Sequence, residues 1–246
     1  MSDDMRSQVV LKGEIHTSHG DLNEERELLL EGFDAVVFEG ADSDPKYRIW
    51  EGWFNLLLLL FESTVSHLYQ DSSILLDLAD ALDTDISFTR ESDTEMLRNT
   101  PVLVHLFAAA SFYVLIVYSI YRGAVDNLVA GSLWLLFAVV FPLVVIRLYN
   151  TKFGKGSLNR DEIIAQKIVE SSQDNKRVLG IVGAAHASGV LDRLPDDLDV
   201  EYKPPKYGLF SLQHARDLIR PGFTAFAELY VIYLILYYVM VTVLIW

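Results

Sequence analysis

Three nearly uncharged stretches limit what this chain can fold into. Residues 101–121 form 21 positions with no formal charge, residues 128–148 another 21 with only Arg147 near the end, and residues 223–246 a run of 24 with only Glu228 near the start. About 20 apolar residues in a helix cross the roughly 30 Å hydrocarbon core of a bilayer. In that medium a helix satisfies its own backbone N–H and C=O groups, so three spanning helices are predicted. Trp and Tyr near several ends suit the membrane interfaces. The chain is 51% hydrophobic yet carries a formal net charge of −14. These two properties agree if the apolar residues are gathered in the spans and the acids cover a soluble part. The run 53–61 has only 9 residues. It reads as part of a buried or membrane-resting helix rather than a span.

Residues 122–127 alone separate the first two spans, which predicts a tight hairpin whose ends return to one side of the membrane. The chain then divides into 1–100, the first half of a soluble domain; 101–148, the hairpin; 149–222, the second half with an interfacial segment at 212–219; and 223–246, the last span. Arg98, Arg147, Lys152, Lys155, Arg216 and Arg220 flank the spans on the soluble side, against Arg122 alone at the tip. The excess of basic residues places the soluble domain in the cytoplasm. Apolar, β-rich runs at 8–12, 34–38, 86–89, 177–182 and 200–203 read as strands. Helical spacing at 22–31, 48–69, 72–82 and 159–171 places helices between them. Alternation of this kind gives an α/β fold: a largely parallel or mixed sheet with flanking helices, interrupted by a transmembrane hairpin and followed by a transmembrane helix.

Composition narrows the chemistry. The acid excess argues against nucleic acid as a partner, because phosphate is repelled, and an acidic surface also suits a high-salt cytoplasm. With no cysteine, disulfides and thiolate metal sites are excluded. The start, Met1 to Arg6, is not followed by the apolar stretch of a signal peptide.

Two Gly-x-x-His motifs, Gly13-Glu14-Ile15-His16 and Gly183-Ala184-Ala185-His186, each follow a predicted strand. Glu39 follows another. In open α/β sheets ligands bind beyond the carboxyl ends of the strands, so His16, Glu39 and His186 are expected at one rim. Two imidazoles and a carboxylate form a catalytic metal set that leaves positions open for water. Glu14 is a further ligand or a general base. Each residue also has a plainer reading. A histidine after a strand is commonly a hydrogen-bonding residue, and Glu39 and Asp161 suit helix N-termini. His19 is a polar turn residue or a substrate contact. Arg90 and Arg98 are salt-bridge or membrane-flank residues, or anion holders, and Arg160 opens a predicted helix with Asp161. His105 reads as interfacial, and Glu228 as snorkelling to the interface or facing a polar groove.

The segment GEIHTSHGDLNEERELLLEGFDAVVFEG resembles the opening of the TraB/PrgY family, related to the Tiki metalloproteases and the erythromycin-esterase-like and ChaN-like proteins. NRDEIIAQKIVES followed by RVLGIVGAAHASGV resembles that family's second half, and residues 86–90 with Thr94 and Arg98 are weakly similar to its Asp-Arg…Thr…Arg stretch. The resemblance implies that His16, Glu39 and His186 share one site supported by Arg90 or Arg160. It further implies divalent-metal-dependent peptide cleavage with manganese or cobalt favoured, or reduced signalling by a peptide pheromone. Zinc also suits the ligand types. Two departures stand out: Glu14 replaces a small or hydroxyl residue, and Arg90-Glu91 replaces Asp-Arg. The acidic Glu14 is also similar to the erythromycin-esterase relatives, which keeps an ester substrate open.

The expectation is thus a membrane-anchored, metal-dependent hydrolase acting on a peptide. Its catalytic residues are Glu14, His16, Glu39 and His186, its metal ligands His16, Glu39 and His186, and its substrate contacts His19, Arg90 and Arg160. The alternatives are a membrane protein that binds or sequesters a signalling peptide, and a transport role. Scarcity of charge in the spans argues against transport, although a homo-oligomer could supply polar groups.

Overall fold

The computed structural model describes residues 7–41, 51–69, 73–90, 97, 100–153 and 160–245. The chain forms two compact units, one built around a sheet and one around long apolar helices.

The sheet unit contains β1 (Gln8–Glu14), β2 (Ala35–Ala41), β3 (Asp85–Arg90), β4 (Arg177–Gly183) and β5 (Asp199–Lys203). The order is β3-β2-β4-β1-β5 and every described pairing is parallel, so the sheet is parallel rather than mixed. Parallel strands need crossovers, and α1 (His19–Leu30), α3 (Ser73–Ala81), α6 (Arg160–Asp174) and α7 (Ala184–Leu191) serve as the covering helices. Strand side chains alternate between the faces. Val9, Leu11, Val37, Val178 and Val182 pack with Ile164, Ile168 and Val190 on the α6 and α7 side. Val10, Val36, Phe38, Leu179 and Ile181 pack with Leu28, Leu29 and Leu75 on the α1 and α3 side. Burial on both faces explains why these strands read as continuous apolar runs. The strands extend beyond their expected ends, so Glu14 and Glu39 lie within β1 and β2 rather than after them.

The second unit contains α2 (Gly52–Val65), α4 (Val102–Val125), α5 (Leu128–Phe153) and most of α8 (Leu212–Ile245). Helices α4, α5 and α8 are each long and apolar enough to cross a membrane. Three boundaries differ from the sequence reading. The turn between α4 and α5 shrinks to two residues, where Asp126 pairs with Arg122 and the Asn127 side chain accepts the Ala130 N–H at 2.8 Å. The expected interfacial helix at 212–219 and the expected span at 223–246 form one continuous helix, with Pro221 inside it. The long helix expected at 48–69 is reduced to α2 and a 3-10 turn at Ser66–Leu68, with residues 48–50 lying outside the described ones. Phe54 and Leu57 of α2 pack with Leu97, Ala108, Phe112, Val139 and Ile146, so α2 belongs to the helical unit and not to the soluble half expected for 1–100. At 14 residues it measures about 21 Å, too short to span. Tyr233 of α8 is fully buried and donates to the Ser119 carbonyl at 3.0 Å. Gly123 and Gly131 leave room for its hydroxyl, since a methyl at either would overlap it. Glu228 pairs with His67 Nε2 at 2.6 Å.

Candidate functional site

Strand order assembles the site. β4 lies between β1 and β2, with Glu14 opposite Gly183 in the parallel register. Glu39 leaves β2 where its register against β3 slips between Phe38 and Ala41. Such an irregularity re-aims a side chain. His16 follows β1, and His186 sits in the first turn of α7 directly after β4.

These residues converge on Glu39. Its Oε2 accepts the Gly183 N–H at 2.6 Å, its Oε1 lies 2.5 Å from Arg160 Nη2, and His186 Nε2 lies 3.9 Å from the same Oε1. A Cβ at Gly183 would stand 3.1 Å from Glu39 Oε2 and 3.3 Å from His16 Nε2. Glycine therefore lets the carboxylate and the imidazole approach one point from two sides. Both histidines are held in the same way. His16 Nδ1 pairs with Glu14 Oε1 at 2.8 Å, and His186 Nδ1 pairs with Asp161 Oδ1 at 2.7 Å. In each ring the carboxylate takes Nδ1 and leaves Nε2 on the Glu39 side. Gly189 is required here as well, because a methyl would overlap the Asp161 carboxylate.

The charges follow from this geometry. Glu14's hydrogen bond raises the His16 pKa; burial opposes the rise, and the charges of Glu14 and Glu39 add to it. Burial works against ionisation of Glu39, but Arg160, the Gly183 N–H and the two imidazoles outweigh it and hold the carboxyl below its ordinary value. Glu25 of α1 is buried beside Glu14. Burial, then the Glu14 charge and hydrogen bond, push its pKa up to about 9, so it carries a proton at neutral pH.

Below the rim, Lys12 is fully buried. Its ammonium donates to Asp21 Oδ1 at 2.8 Å, Glu24 Oε2 at 2.9 Å and the Pro204 carbonyl at 2.9 Å, using all three donors. Asp21 also accepts the Ile15 N–H at 2.9 Å and the Lys206 N–H at 2.6 Å. The residue before His16 is thereby tied to α1 and to the segment after β5. Thr17, on the other side, contacts His214 Nε2 at 3.2 Å.

The structure therefore brings Glu14, His16, Glu39, His186 and Arg160 together. His19 is exposed on the first turn of α1. Arg90 closes β3 and its side chain lies outside the described residues, as do Thr94 and Arg98. Asp161, Glu25 and Lys12 are the residues that the sequence reading missed or assigned elsewhere. Asp161 orients His186 instead of serving only a helix dipole, and its place beside Arg160 was the available signal. Nothing in the local sequence marked Glu25 or Lys12.

Among the described residues no group of three or more His, Asp or Glu stands arranged to hold a metal ion. Arg160 instead pairs with Glu39 Oε1. The donor chemistry nevertheless fits a metal ion: imidazoles whose Nδ1 atoms are fixed by carboxylates are the usual outer support of metal-binding histidines. A surface hollow along α6, lined by Glu162, Gln166, Glu170 and Arg193 among others, shares no residue with this cluster. No family model, curated protein or solved structure matches the chain.

Proposed function

We propose that the chain is an integral membrane protein carrying a metal-dependent hydrolase site, a peptidase of the TraB/PrgY/Tiki type acting on a peptide near the membrane. The observation that carries this reading is the pair of carboxylate-held imidazoles, Glu14–His16 and Asp161–His186, with both Nε2 atoms on the side of Glu39. His16, Glu39 and His186 would hold a divalent ion, manganese, cobalt or zinc. When bound, it would supply Lewis acidity toward a carbonyl and lower the pKa of water.

The chain's own residues have separable tasks. Glu14 and Asp161 fix the tautomer and ring orientation of the two histidines. Arg160, one-third exposed, offers a guanidinium to a substrate carboxylate or carbonyl once it leaves Glu39. Glu14, beside the buried Glu25, would also serve as a general base or a further ligand. The helices α4, α5 and α8 would anchor the site to the bilayer, with α4 and α5 crossing and returning between the two halves of the sheet unit. The basic flanks Arg147, Arg216 and Arg220 favour the cytoplasmic side.

The test is metal analysis and peptide turnover of the purified full chain beside a His16→Ala/His186→Ala variant. Loss of both in the variant is expected. Unchanged metal content and unchanged turnover would sink the proposal. One observation favours a second reading, a protein that binds or sequesters a signalling peptide: both oxygens of Glu39 are already paired, with Arg160 and with Gly183. Intact peptide after long incubation with metal-loaded protein would support that alternative.

A further inference from the structure

We propose that residues 209–223 form a lipid-headgroup anchor, in which one face of the first turns of α8 and the apolar tip before it lie in the interface of an anionic bilayer. The inference rests on the reading of α8 as a membrane span. It adds a distinct binding surface with its own ligand.

Helix length gives the first reason. α8 has 34 residues, about 50 Å at 1.5 Å per residue. A hydrocarbon core of roughly 30 Å leaves about 20 Å of helix outside it. That excess is not polar all round. Leu212, Arg216, Ile219, Arg220 and Phe223 recur at the spacing of a single helical face, and all five are exposed. Leu212 is 75% exposed, Ile219 70% and Phe223 74%. The other face is occupied: His214 is buried and its Nε2 meets Thr17. Just before the helix, Phe210 is 97% exposed and Leu209 56%. A nearly bare phenylalanine beside an apolar stripe suits the headgroup and acyl boundary, where aromatic and aliphatic side chains bury while arginines reach for phosphate.

Charge and continuity choose the occupant. Arg216 and Arg220 interrupt the apolar stripe in a chain whose net charge is −14, so this face is locally basic on an acidic protein. Basic residues next to a span attract anionic lipid. The face also runs directly into the apolar part of α8, within one helix. Pro221 cannot donate a helical hydrogen bond, and Gly222 follows it, so the helix can turn cheaply between an interfacial course and a spanning one.

The chain has no cysteine, which makes single-site spin labelling clean. Phe210→Cys, Leu212→Cys, Gln213→Cys, Ile219→Cys and Ile235→Cys are labelled in the full chain in nanodiscs containing phosphatidylglycerol. Collision with apolar oxygen and with an aqueous nickel chelate is then compared. Labels at 210, 212 and 219 are expected to meet oxygen several-fold more, relative to nickel, than the label at 213. Equal ratios at all four positions would overturn the anchor. Shielding of 210, 212 and 219 from both reagents would also overturn it, in favour of a protein partner. Ile235, within the proposed span, separates the two claims: if 235 is lipid-exposed and 210 aqueous, only the anchor fails, and if 235 is aqueous the membrane reading fails as well. Arg216→Gln/Arg220→Gln is expected to abolish the dependence of label depth at 210 on phosphatidylglycerol. An undiminished dependence would remove the arginines from the proposal.

Discussion

Lys12→Met should destabilise the sheet unit far more than an ordinary strand substitution. The wild-type ammonium is fully buried and makes three hydrogen bonds, two of them to carboxylates. Methionine keeps the length and apolar stem, so packing changes little. It leaves Asp21, also buried, without its cation. Removing one partner of a buried ion pair costs about 3–5 kcal/mol. Asp21 retains the Ile15 and Lys206 N–H groups, and Glu24 retains Lys206 Nζ at 2.7 Å. These remaining partners put the loss near the lower end, about 3 kcal/mol. That is a large part of a total stability of about 5–15 kcal/mol. Tryptophan fluorescence would miss it, because no tryptophan occurs in residues 1–44, 69–93 or 157–218. Native-state hydrogen exchange at the Val10, Leu11 and Leu179 amides reads the right unit. Exchange should accelerate about 150-fold, since each 1.36 kcal/mol is a factor of ten. Lys12→Met/Asp21→Asn should recover part of the loss by removing the orphaned charge. An acceleration below about fivefold, or a double variant no more protected than the single one, would refute the reasoning.

Three further outcomes follow from the same contacts. Asp161→Asn should lower affinity for a divalent ion about 10–100-fold at unchanged secondary structure, because the Nδ1 partner of His186 loses its charge; isothermal titration that matches the wild type would remove Asp161 from the site. His16 should titrate above its ordinary 6.5 by NMR, and Glu14→Gln should lower that value. Its folded pKa is raised, so its contribution to stability is complete below the unfolded pKa and disappears as pH rises through the folded one; a His16 pKa at or below 6.5 would contradict the pairing. Gly131→Ala should destabilise the α4–α5–α8 packing by about 1–3 kcal/mol in detergent, through overlap with the Tyr233 hydroxyl, and Tyr233→Phe should relieve part of the loss; a thermal midpoint unmoved by Gly131→Ala would place α8 elsewhere.

Much of the site was legible because its parts are local. A β-rich run ending in Gly-x-x-His marks a strand end whether or not its partner is known, which is how His16 and His186 were found. Glu39 stands at the end of a third β-rich run, one without that motif. Asp161 and Glu25 were harder. An acid in the first turn of a helix has a sufficient local explanation, and a glutamate among other acids on α1 gives no sign that it, like Asp21, faces inward. Lys12 interrupts an apolar run, a pattern that signals solvent exposure more often than a buried cation.

By itself the sequence determined the three apolar helices, because hydrocarbon length and the absence of charge are counted along one chain. It also determined the α/β alternation and the types of residue at the strand ends. Only the tertiary structure decided that β4 enters between β1 and β2, which brings a motif some 170 residues from His16 to the rim that Glu39 shares. It alone decided that Arg160 and Asp161 would meet Glu39 and His186, and that the interfacial segment and the last span would be one helix. The physical reason lies in range. Side-chain periodicity fixes the kind of element within a few turns, whereas strand order and side-chain pairing depend on which distant surfaces bury one another.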